Sequence, residues 1–134
     1  MYKLIKILNA GINVPEPVRI TLDSAVTVSR GTPVIISGGA LTVLSDKATS
    51  LPTHVTLAPV DGKEVLCFAV TPDMVFETTA SAAPTAMKVG SEYLLSADGS
   101  AVSATAVSGS LRGAVLMNKN GASAAGDSLL ISFR

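Results

Sequence analysis

"RGTPVIIS" occupies residues 30–37 and "VGSEYLLS" occupies residues 89–96. Each reads glycine, small hydroxyl residue, one variable residue, three bulky residues, serine. Gly31 thus aligns with Gly90, Thr32 with Ser91, and Val34-Ile35-Ile36-Ser37 with Tyr93-Leu94-Leu95-Ser96. One residue of slack then brings Gly39-Ala40 onto Gly99-Ser100. A glycine heading a bulky run marks a turn that feeds a buried strand, and a glycine soon after marks a reversal. The doubled phrase predicts that Gly31 and Gly90 sit in equivalent turns, and Val34 and Tyr93 at equivalent strand positions.

Strand signals continue outward from both phrases. "AVTVS" (25–29) alternates, Gly38-Gly39 marks a hairpin, and "ALTVLS" (40–45) follows it. "THVTLAPV" (53–60) alternates, and Asp61-Gly62 reads as a second turn before "KEVLCFAV" (63–70). That last run is apolar at both parities, so both its faces should be covered. Pro72 breaks the run, and "MVFETT" (74–79) begins another strand. Further on come "SEYLLSA" (91–97), the Asp98-Gly99 turn, "SAVSATAV" (100–107) and "AVLMN" (114–118). After glycine turns at 120–121 and 126–127, "SLLISFR" closes the chain with Leu129, Ile131 and Phe133 on one face. No helical period persists for ten residues. The reading is an all-β fold, a compact sandwich or small barrel-like body made of two pseudo-repeated halves.

Composition divides the chain accordingly. Residues 1–22 form an N-terminal extended arm or edge strand, because Pro15 and Pro17 bracket Glu16 and favour extended backbone without amide donors. The strand option covers residues 4–8; the other option is a segment that orders on a partner. Residues 23–78 form a first β half, "TASAAPTA" (79–86) a linker-like bridge, and residues 87–134 a second β half. Halves this small are marginal alone, so a shared core and one compact domain are expected.

Charge and composition exclude several classes. Ten basic residues balance ten acidic ones. No dense Lys/Arg stripe exists to displace counterions from nucleic acid or to dock on an anionic membrane. No apolar run approaches a membrane span, and the first residues lack the pattern of a signal peptide. Cys67 is the single cysteine, which excludes an internal disulfide and fits synthesis in a reducing cytosol.

Chemistry is sparse. His54, the one histidine, has no ligand-spaced neighbours, and its parity with Thr56 predicts a solvent-facing or edge position. Cys67, between Leu66 and Phe68, reads as a buried small hydrophobe rather than a nucleophile. Asp61 and Asp98 precede glycines, as turn residues do. No phosphate-binding glycine loop and no nucleophile elbow occurs. The expectation is a protein that is not an enzyme and has no catalytic, cofactor-binding or metal site.

Three stretches carry a resemblance: "LPTHVTLAPVDGKEVLCFAVTPDMVFETT", "KVGSEYLLSADGSAVSAT" and "GASAAGDSLLISFR". Together they resemble small capsid decoration (cement) proteins, or head-fibre base domains, of tailed bacteriophages, over about Val28 to Arg134. The most specific piece is "VTPDMVFET". The resemblance implies a virion structural protein, made in the host cytoplasm, that binds the exterior of the major-capsid-protein lattice and braces the head against packaged DNA. It implies the major capsid protein as partner and a homo-oligomer, with a trimer favoured. The arm is outside the resemblance, yet extended backbone suits strand addition to a neighbour. Candidate capsid contacts are therefore Tyr2, Leu4, Ile7, Val14, Pro15 and Pro17 on the arm, with Met74 and Met117 as apolar residues near strand ends. Phe76 and Tyr93 read as core. The alternative is a carbohydrate- or receptor-binding β-module displayed on a virion surface, which the absence of tryptophan disfavours. An enzyme would need a distant carboxylate pair.

Overall fold

The computed structural model describes residues 1–8 and 15–134. Among them run eleven strands and no helix. In chain order these are β1 (Lys3–Ile7), β2 (Val18–Val28), β3 (Pro33–Ser37), β4 (Ala40–Val43), β5 (His54–Thr56), β6 (Val60–Ala69), β7 (Met74–Thr79), β8 (Glu92–Leu95), β9 (Val102–Ala106), β10 (Ala114–Asn118) and β11 (Ser128–Ser132). They form two sheets, ordered β2-β6-β5-β3-β4 and β1-β7-β11-β10-β8-β9. The fold is all-β, as the strand and turn signals predict.

Without β1, the two orders are the same topology written twice. Moving five strands along the chain converts β2-β6-β5-β3-β4 into β7-β11-β10-β8-β9. The hydrogen bonds repeat as well. Gly31 N–H donates to Thr56 O at 2.8 Å, and Thr56 N–H returns a bond to Thr32 O at 3.1 Å. Gly90 N–H donates to Leu116 O at 2.7 Å, and Leu116 N–H returns one to Ser91 O at 2.9 Å. Gly31 and Gly90 both have positive φ, +68° and +89°, which glycine adopts without the steric cost of a Cβ. Val34 stands opposite His54, and Tyr93 opposite Ala114.

The correspondence reaches the outer strands. Thr56 pairs with Cys67, which pairs with Val18. Leu116 pairs with Ile131, which pairs with Phe76. Val18 and Phe76 are thus equivalent positions, as are Phe68 and Ser132, which lie one step along β6 and β11. Each unit also curls toward closure. Asp23 N–H donates to Gly39 O at 2.9 Å, joining β2 to the start of the edge hairpin. Five residues beyond Phe76, as Asp23 is beyond Val18, Ser81 N–H donates to Val102 O at 2.8 Å.

Two cores result. Inside the first unit lie Leu22, Val28, Val34, Val60, Val65 and Cys67. The larger core fills the second unit with Leu95, Val102, Leu116, Leu129, Ile131 and others. It also takes in Leu44, Val55 and Phe68 from the first unit. Phe68 stacks on Phe76 with ring centroids 6.1 Å apart, and Phe76 meets Phe133 edge-on at 5.6 Å. Stacked and edge-on aromatic pairs contribute beyond their buried area, so this contact bonds the units firmly. The second unit is therefore seated on the outer wall of the first.

Three features differ from the sequence reading. The change of unit falls between Ala69 and Met74, whereas composition placed it at 79–86; β7 pairs with β11, not with the first sheet. "TASAAPTA" is part of the second unit, with Ala80 and Pro84 buried, because small residues there let the chain hug the barrel wall. Asp61-Gly62 is not a turn: β6 continues through it, opposite Thr27 and Val26, and the chain reverses at 57–59. The glycine lies opposite a bulge in β2 between Thr21 and Val26, which bends the pair. Of the two options for the N-terminal segment, the chain takes the edge strand: residues 3–7 pair Lys3 with Glu77 and Leu4 with Phe76.

Candidate functional site

The arm ends where the two units meet. Tyr2 N–H donates to Gly31 O at 2.7 Å, and the Tyr2 ring lies 5.7 Å from that of Phe133. A Cβ on Gly31 would collide with the Met1 side chain, so the repeat glycine also makes room for the arm. Beside it is an apolar hollow of about 330 Å³, lined among others by Tyr2, Leu4, Pro15, Pro17, Leu57 and Phe68. Four of the arm's candidate contacts thus converge on one place. Ile7 is half-buried against the main core, and Val14 lies outside the described residues.

Two of the candidate contacts are buried. Tyr2 is 2% exposed and Met74 is 4% exposed, so neither offers a surface to a partner. A terminal or strand-end place in the sequence suggests exposure, but β1 joins the sheet and β7 lies between β1 and β11. Burial pushes the Tyr2 phenol well above its ordinary pKa, and it stands near Thr78 without a well-formed hydrogen bond. Met117 is half-buried and lines a separate shallow hollow of about 360 Å³ with Val89, Gly90, Val115, Leu116 and Arg134. Phe76 and Tyr93 are core residues, as expected.

A third cleft, about 450 Å³, runs between the units and is polar, with Arg30, Thr27, Thr32, Asp98 and Ser100 on its walls. The Asp98 carboxylate accepts from Ser100 N–H (3.0 Å), Ser100 Oγ (2.7 Å) and Ser96 Oγ (2.8 Å). These bonds hold its pKa at about 2, the Ser100 amide contributing most. An acid so low and so fully engaged ties a hairpin; it is poorly suited to move a proton at neutral pH.

His54 is not on a solvent face. β5 lies between β6 and β3, and His54 is half-buried with Nδ1 2.8 Å from Thr53 Oγ1. Burial lowers its pKa, favouring the neutral ring. Its strand-mate Thr56 is buried and donates to Ser29 O, because this parity faces the first barrel. Cys67 is fully buried, and burial pushes its thiol up, away from the reactive thiolate. Among the described residues no three His, Cys, Asp or Glu side chains gather closely enough to hold a metal.

The exposed large apolar side chains among the described residues are Met1, Ile5, Val18 and Val89. The sequence reading missed Ile5, Val18 and Val89. Val89 had a signal: it aligns with Arg30 of the first copy, a residue type that faces solvent. Comparison of the chain with protein-family models and with curated proteins finds no match.

Proposed function

We propose that this chain is a structural protein of a tailed-bacteriophage head that binds the outside of the major-capsid-protein lattice and stabilises the shell. The observation that carries this reading is the doubled unit. Two equivalent β-bodies joined through one core present repeated surfaces to a lattice whose subunits are themselves repeated. A body that touches two subunits gains from effective concentration even when each contact is weak. The apolar hollow under the arm, bordered by Leu4, Pro15 and Pro17, is the surface best suited to receive a capsid segment. The resemblance of "VTPDMVFET" and the closing strand to decoration proteins supports the same reading.

Co-sedimentation with undecorated, expanded shells of the parent phage tests it. The chain should pellet with the shells at micromolar concentration, and, given its balanced charge, the bound fraction should change little with added salt. Leu4→Asp should reduce the bound fraction at least tenfold. A chain that stays in the supernatant at every salt concentration would refute the proposal.

A further inference from the structure

Within one chain, the two equivalent units are joined head to tail and not face to face. The second unit contributes Phe76, on β7, and seats it against Phe68 on the outer wall of the first. Val55 lies beside Phe68 on that wall and is buried there too. A head-to-tail contact uses two different surfaces, so each unit has one surface used and one left over.

The register identifies the two unused surfaces. The wall position equivalent to Val55 is Val115, since Pro33 faces the first and Glu92 the second. Around Val115 is the open hollow with Val89, Met117 and Arg134. Val89 is 63% exposed, the most open large apolar side chain described. At the other end, the position equivalent to Phe76 is Val18, and it is 39% exposed where Phe76 is fully buried. Each leftover surface carries apolar side chains, Val18 on one and Val89, Val115 and Met117 on the other, and each is the counterpart of a surface that the other unit buries. Exposed Glu16 and Arg19 flank Val18, and Arg134 edges the hollow, where its Nε donates to Ser132 Oγ at 2.9 Å.

We propose that a second copy of this chain docks by its Val18 end on the Val89/Met117 wall, repeating between molecules the contact that joins the units within one. Because the contact is heterologous, it propagates until it closes as a ring or continues as a filament. The intermolecular version is weaker than the internal one, since Ser132 stands where the first unit has Phe68 and the apolar area is smaller. This inference rests on the internal duplication and not on the virion reading.

Sedimentation velocity over a concentration series, with Val18→Glu and Val89→Glu, tests it. Both residues are exposed, so the variants should fold, and circular dichroism matching the parent chain verifies that. The parent chain should associate with rising concentration, and each variant alone should dissociate at least tenfold more readily. Mixing the two variants should restore a dimer and nothing larger. The mixture pairs the intact Val18 end of one variant with the intact Val89 wall of the other. A parent chain that stays monomeric to near-millimolar concentration overturns the proposal. So does a Val18→Glu variant that self-associates as well as the parent, or a mixture that stays monomeric.

Discussion

Among the described glycines, Gly113 leaves a Cβ the least room. A Cβ there would run into Tyr93 O and press on the Leu94 backbone, neither of which can rotate away. The approach is fixed from the other side, because Glu92 accepts from Gly113 N–H at 2.9 Å and from Arg112 Nε at 3.1 Å. Gly113→Ala should therefore cost about 1–3 kcal/mol through backbone displacement. Equilibrium urea denaturation would record this as a lower midpoint with an unchanged slope; an unchanged midpoint would show that the β8–β10 approach is looser than described. Val18 and Phe76 show how one position serves two ends in two copies. The same strand register places both, yet only Phe76 has a wall to stack on. The sequence carries the difference in side-chain size, but which of the two is covered depends on how the units meet.

Among elements, the hairpins were the most legible. Gly38-Gly39 and the Asp98-Gly99 turn fall where dipeptide chemistry puts them, joining β3 to β4 and β8 to β9. Asp61-Gly62 misled because the same dipeptide suits a bent strand opposite a bulge, and only the partner strand decides between the two. "TASAAPTA" misled because small residues mark both linkers and close packing. The candidate site was legible in part: the two prolines and Leu4 reach one hollow, whereas alternation could not show that β1 would bury Tyr2. The β8–β9 hairpin also carries the chain's clearest acid response. Folding lowers the Asp98 pKa, so its hydrogen bonds stabilise the hairpin fully above the ordinary carboxylate range, about pH 4. The contribution is lost as pH falls toward 2. Asp127, which accepts from the Ser123 and Ala124 amides, is shifted in the same direction. Hydrogen exchange of the Ser100 amide should lose protection between about pH 4 and 2 in the parent chain. In Asp98→Asn that acid step should be absent; a step of the same size in the variant would assign the response to another group.

In the whole molecule, two copies of one β-unit are joined through the larger of the two cores. The first unit's interior is small and made mainly of valines, while the larger core spans the junction through Leu44, Val55, Phe68, Phe76 and Phe133. The Phe68–Phe76 stack crosses between the units and Phe76 meets Phe133 beside it, so neither unit should persist once the other has unfolded. The shared core sets the spacing of the surfaces that the two units present. Scanning calorimetry of the full chain tests this most directly. One endotherm is expected, with calorimetric enthalpy equal to the van 't Hoff enthalpy, as one cooperative unit requires. Two separated transitions, each with its own enthalpy, would contradict the shared core and reduce the chain to two linked beads.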